Sequence, residues 1–303
     1  MAGCNSGSVA NSALLQTEGC QASASGFSST AVAKFATAGN NAVAVGVSSV
    51  AAVNATSVGT SAGASGDDSV AIGFLAQAIG KWSTAVGGEA GRDATAANFG
   101  NSAFGNGAGR IVAGIYNTAI GTLAGITVDG HFNTAVGVGA GQNVSGSSNS
   151  ALGDQAGWDV TGNGNVAIGQ NAGIDITASH TVAIGTNARA TVNKAVAIGQ
   201  GSVANLANTV SVGTNTARRR IVNVAAAVAN SDAANLGQVK ALVAASAQAA
   251  VSSSSRDIPK SGIEDIRQEL AALQALINTQ QRRIAELEKR QMAPPILYQA
   301  DRL

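Results

Sequence analysis

Few residues in this 303-residue chain are of types that do chemistry, and their spacing argues against it. The two histidines, His131 and His180, lie far apart in sequence, and neither has a partner at metal-ligand or triad spacing. Gly105-x-Gly107-x-Gly109 and Gly137-x-Gly139-x-Gly141 look like phosphate-cradling loops. No helix signal follows them, and the same glycines recur unit after unit, so they read as structural corners. Gly80-Lys81 is followed by Trp82, and Leu75 stands where a P-loop needs glycine. Asp67-Asp68 and Asp129 are isolated carboxylates without a calcium-repeat spacing. Cys4 and Cys20 make no disulfide framework and read as reduced thiols, or small packing residues, of a protein made in the cytosol. These residues predict no enzyme activity, no cofactor and no bound metal.

Binding chemistry has more support. Aromatics are only 3% of the chain, so their positions carry weight. Tyr116, Phe132 and His180 fall at one phase of a repeating unit, Trp158 follows a small pair in its own unit, and Trp82 sits in a turn. Trp82, Tyr116, Phe132, Trp158 and His180 are therefore the candidate ligand surface, a stacking platform for a glycan or a surface protein. The alternative is that these turns pack on themselves or on a neighbouring chain. Arg218-Arg219-Arg220 is the one basic run. With 18 basic against 17 acidic residues and a net charge of +1, the chain shows no nucleic-acid footprint. The arginine run reads as solvation of a junction with inter-chain contacts, and an anion patch is the other reading. No apolar stretch is long enough to insert in a membrane as a helix.

The elements that must position these residues are repeats. A small-aliphatic-Gly unit recurs at Ala44-Val45-Gly46, Ser57-Val58-Gly59, Ala71-Ile72-Gly73, Ala85-Val86-Gly87, and onward through Ala119-Ile120-Gly121 to Ser211-Val212-Gly213. Steps between its glycines are 13, 14, 14, 18, then five of 16, then 14 and 14. The 16-residue units open on Asn101, Asn117, Asn133, Asn149 and Asn165 and carry a second small pair such as Ala108-Gly109 or Ala140-Gly141. The period is too short for a helix pair and fits one β-coil with two short strands. The pattern predicts one aliphatic residue per rung pointing inward and glycine at each corner, with parallel rungs about 4.8 Å apart. Glycine at 38 positions and charged residues at 12% leave few large side chains for a globular core. So thin a coil exposes its face and edges, which predicts an oligomer.

The rungs Ser69-Val70-Ala71-Ile72-Gly73 and Thr181-Val182-Ala183-Ile184-Gly185 resemble the head repeats of the YadA-like trimeric adhesins. Arg220-Ile221-Val222-Asn223-Val224-Ala225, with Asp232-Ala233 and Asn235-Leu236-Gly237-Gln238-Val239, resembles that family's neck, including Arg220, Asn223, Asp232 and Asn235. Gly237 departs from the larger residue usual there. The resemblance implies a mainly β fold: a trimeric left-handed parallel β-roll (a β-solenoid), whose neck narrows from a wide head to a thin stalk.

Independently of the resemblance, residues 263–291 read as heptads, with Ile263, Leu270, Ile277 and Ile284 at a and Ile266, Leu273, Gln280 and Leu287 at d. This mixed core admits a trimeric coiled coil, with Gln280 as a register-setting polar layer. The expected organisation is an N-terminal cap or attachment segment at 1–40 and a β-roll head of 13–18-residue repeats at 41–213. A neck at 214–242, a linker at 243–262, a coiled coil at 263–292 and an extended tail at 293–303 follow.

The chain begins at Met1 without an export-signal pattern and shows no alternating strands for a membrane barrel after the coil. On that ground the expectation is a bacteriophage tail fibre or spike: a homotrimer in the virion, assembled in the host cytoplasm. It would contact a host receptor, glycan or protein, and join other tail proteins through its termini. The alternative is the head, neck and stalk of a bacterial trimeric autotransporter adhesin at the cell surface, without its anchor.

Overall fold

A computed structural model describes residues 21–95, 98–254 and 260–291. Cys4, Cys20, Pro259 and the tail at 293–303 lie outside them. The chain divides into two compact units, Met1–Arg220 and Ile221–Leu303.

The first unit is a parallel β-solenoid. Its long sheet stacks thirteen strands in sequence order, from Thr30–Val32 to Val210–Ser211. The register never slips: Ala31 pairs with Ala44, Ala44 with Ser57, Ser57 with Ala71, and the column continues through Ala119 and Ala135 to Ala197. Short strands close the back of the coil in sheets of four, three and two. The solenoid begins upstream of position 41, because Ser23–Ala24 and Thr30–Val32 already pair with the following rungs. Sequence motifs miss these rungs because Ala33, at φ 99°, stands at the corner that later rungs give to glycine. Those glycines are needed: Gly46 has φ 133°, and a Cβ on it would overlap the carbonyl of Gly59 in the next rung.

The expectation of inward aliphatic residues is corrected. The buried residue of each three-residue strand is its central Ala or Ser, while the apolar third residue faces out, half-buried at Val45, Val58, Val86 and Val136 and up to 50% exposed at Leu152. Strand alternation allows only one of the two inside. Space selects alanine, since Ala36, Ala38, Ala42 and Ala44 from facing strands already fill the coil.

Two kinds of rung share this plan. In a narrow rung the chain turns through Ala76-Gln77-Ala78, and the two buried alanines are two residues apart. In a wide rung it turns through Ala108-Gly109-Arg110-Ile111-Val112, with Ala108 and Val112 buried four apart. The two added residues turn the coil at Gly109, whose φ is 63°, and open a second core column of Val112, Val128, Val144, Val160 and Ile176. Each such valine buries roughly 1.5–3 kcal/mol of side chain, against roughly 0.8 for a methyl. The wide coil also needs polar bracing at its first corner. Asn133 Oδ1 accepts from Asn149 N–H at 3.0 Å, and its Nδ2 donates to Gly146 O at 2.9 Å. Asn117, Asn149 and Asn165 repeat this, and Thr181 ends the ladder by donating its hydroxyl to Asn165. Narrow rungs use serine locally: Ser69 Oγ donates to Gly66 O within its own turn.

In the second unit, helix α1 spans Leu236–Ser254 and α2 spans Lys260–Gln291. Asn235 caps α1, its Oδ1 accepting from Gln238 N–H at 3.0 Å. Gln238 Oε1 in return accepts from Asn235 N–H and from Ala227 N–H, and its Nε2 donates to Ala227 O, which fastens the incoming chain to the helix start.

Candidate functional surface

The five aromatic candidates fall into three places. Trp82, Tyr116 and Phe132 occupy one column of corner residues, each in the left-handed region (φ 56–59°) and each two residues before a strand of the long sheet. Phe99, which no period singles out, joins them from the rung between Trp82 and Tyr116. Ring centroids step 6.4 Å from Trp82 to Phe99, 5.2 Å to Tyr116 and 5.6 Å to Phe132. The first two contacts are edge-on, and Tyr116 stacks on Phe132 at 14°. The 18-residue step hides Phe99, because it shifts that ring one place off the corner that Gly100 takes. Gly100 leaves room for the Tyr116 ring, which a Cβ there would meet at 2.6 Å. His180 stands in the same column three rungs past Phe132, leaning over Gly164. Trp158 lies elsewhere, at the outer corner of a wide rung, with Gln142 and Ile174 in register on the rungs beside it.

These rings contact one another along the column. Tyr116 and Phe132 stack, and the Lys81 ammonium lies 4.9 Å from the Trp82 ring centre. They remain half-open to solvent, with Trp82 55%, Tyr116 45% and Phe132 56% exposed. Beside the corners runs the outward face of the long sheet, an unbroken ladder that includes Ile72, Phe104, Ile120, Leu152, Ile168 and Ile198. That apolar face is far larger than the scattered exposed residues of an ordinary surface.

Polar candidates have structural partners. Arg219 donates to Ser202 Oγ at 2.9 Å, Val212 O at 2.8 Å and Gln200 O at 2.5 Å, closing the last rung, and all three arginines of the run are exposed. His131 Nδ1 accepts from Ile115 N–H at 3.1 Å, one step of a corner ladder that continues through Ser147 and Asn163. Asp232 accepts from Ala229 and Val228 N–H, and these bonds hold its carboxyl below the ordinary value. Asn223 is a corner at φ 61°. Among the described residues there is no group of three or more His, Cys, Asp or Glu able to hold a metal ion, and no helix is long and apolar enough to cross a membrane. On α2 the a and d residues Ile263, Ile266, Leu270, Leu273, Ile277, Ile284 and Leu287 are all exposed in the single chain, as is Gln280.

A stack of short parallel rungs, apolar on its outer sheet, belongs to the fibrous solenoid proteins. The family model describing the YadA head domain repeat matches residues 52–76, 64–90, 177–202 and 193–216. The chain thus carries YadA-like head repeats, and the matches centre on narrow rungs, overlapping the wide block only at its two ends. A solved structure, the collagen-binding domain of the Yersinia adhesin YadA, is 24% identical, with 75% of this chain and 89% of that chain covered at a TM-score of 0.28. No curated protein matches the chain.

Proposed function

We propose that this chain is the head, neck and stalk portion of a homotrimeric adhesin displayed at a bacterial surface. Its role is to hold binding sites in threes on a stiff scaffold rather than to catalyse a reaction. The observation that carries the reading is the in-register apolar face of the long sheet. Its rungs present apolar side chains to the outside, where only another protein surface can keep them from water. The heptads of α2, whose a and d residues are equally exposed, support the same self-association. The YadA-like head repeats favour the adhesin over the tail fibre expected first, because they are the repeats of an adhesin head.

Trp158 is the proposed contact for the cell-surface ligand, a glycan or a protein. It is the candidate ring on the outer side of the coil, away from the apolar sheet. Three copies on one scaffold would reinforce weak contacts.

Sedimentation of the purified chain tests the assembly: a mass of three chains is expected, and one chain overturns it. Antibody probing of washed outer membranes and of phage particles from the source culture tests the location. Signal in the membrane is expected, and signal confined to virions returns the tail fibre. Loss of cell or glycan-array binding on Trp158→Ala is expected in the trimer, and unchanged binding removes Trp158.

A further inference from the structure

We infer that the aromatic ladder Trp82–Phe99–Tyr116–Phe132 is a seam against a neighbouring copy of this chain rather than a free ligand platform. The inference rests on the homotrimer reading and goes beyond it by naming where adjacent protomers meet side by side.

Three observations carry it. The first is position. Trp82, Tyr116 and Phe132 each stand two residues before a strand, so the ladder borders the leading edge of the apolar sheet face and continues it round the corner. The second is continuity. Four successive rungs, whose strands open at Thr84, Ser102, Thr118 and Thr134, each hold an aromatic ring at or beside the corner: Trp82, Phe99, Tyr116 and Phe132. The corners on either side of this block, before Thr56, Val70 and Ser150, hold Asn54, Asp68 and Ser148. The rings thus form one uninterrupted apolar strip along the sheet edge, bounded by polar corners, as expected of a surface that faces a single partner. The third is the nature of the surface. A left-handed corner suits Asn, Asp or Gly and is strained for the bulky rings of Trp82, Tyr116 and Phe132, a cost that a contact with a partner offsets. Tyr116 and Phe132 stack on one another and Lys81 lies over Trp82, so one face of each is already in contact while the rings keep about half their surface for a partner's side chains. His180 precedes the valine rung of Val182 and is not part of the seam.

The chain contains two tryptophans, which makes the test direct. In a single protomer Trp82 is the more exposed, 55% against 39% for Trp158. The single-tryptophan variants W158F and W82F of the full chain should sediment as trimers. Acrylamide should then quench Trp82 several-fold less than Trp158, with Trp82 emission shifted to the blue, the reverse of the single-protomer order. A trimer whose Trp82 remains the more quenched of the two overturns the seam and leaves the homotrimer standing. A single-chain mass overturns the homotrimer itself. As a second variant, Phe132→Asp places at the corner a residue type already present there at Asp68, so the protomer should fold. It should lower the denaturant midpoint for trimer dissociation, whereas Trp158→Asp should not. Equal midpoints for the two overturn the seam.

Discussion

The narrow and wide rungs of the solenoid solve one problem with different chemistry. Both must close a coil around a core while every buried backbone group keeps a partner. The narrow coil does it with alanines two residues apart and with serines that bond inside their own turn, as Ser69 does to Gly66. The wide coil adds two residues and gains a valine column, but its larger cross-section leaves carbonyls such as that of Gly146 beyond reach of a serine. Asparagine spans that gap and ties each rung to the next through Asn117, Asn133, Asn149 and Asn165. The wide block also retains an internal cavity of about 50 Å³ between its Ala, Val and Asn columns. The YadA head repeat matches centre on narrow rungs on both sides of the wide block, so the widened rungs sit between two stretches of that pattern. Width is thus a local property, set by a Gly-x-x stretch that replaces the single residue after the buried alanine, and it leaves the long sheet in register throughout.

Removing the bracing side chain from each kind of rung gives the largest expected effect. Asn133→Ala strands the Asn149 N–H and the Gly146 carbonyl inside the coil and should lower stability by about 3 kcal/mol. Ser69→Ala removes one hydroxyl bond and should lower it by about 1 kcal/mol. Denaturant midpoints of the two variants check this, and equal losses would mean that the asparagine ladder is not what braces the wide coil.

Overpacking should separate the blocks next. Ala44→Val enters a filled alanine cluster and should destabilise by about 2 kcal/mol. Ala135→Val points into the wide block beside the cavity, so its loss should be the smaller of the two in the same unfolding assay. A larger loss at Ala135 would show that this space is not available to a side chain.

Removing residues 133–148 deletes one whole wide rung and joins Phe132 to Asn149 in the same phase. The circular dichroism spectrum should keep its shape and the melting temperature should fall only slightly, because each rung touches only its neighbours. Collapse of the fold would mean that the rungs are not interchangeable.

The smallest effect belongs to the second unit, where one titrating side chain closes a turn ahead of α1. The Asp232 carboxyl is held below its ordinary value of 3.8 by two backbone N–H groups. Its contribution is therefore present above that value and is lost as pH falls through the lowered one. Acidification should loosen the turn at Val228–Ala229, read as faster amide exchange there. Asp232→Asn should show the faster exchange already at neutral pH.

The period, the parallel coil, the corner glycines and a helix over 263–291 could all be read from residue order, because a repeat must satisfy the same backbone geometry each time. The asparagines opening the 16-residue units were visible too, but their bonds were not, since each links residues 13 or 16 apart. Which side of the strand faces in could not be read. Alternation marks Ala and Ile as opposite, and hydrophobicity alone favours burying Ile. Only the closed coil, with its facing strands too near for more than a methyl, puts alanine inside and turns the aliphatic ladder outward. The same holds for the aromatics. Tyr116 over Phe132 follows from the 16-residue period, whereas Phe99 enters through the irregular 18-residue step and Trp158 leaves for another corner. Residue order sets what repeats, while the cross-section of the folded coil decides which side chains it can hold and which it must offer to a partner.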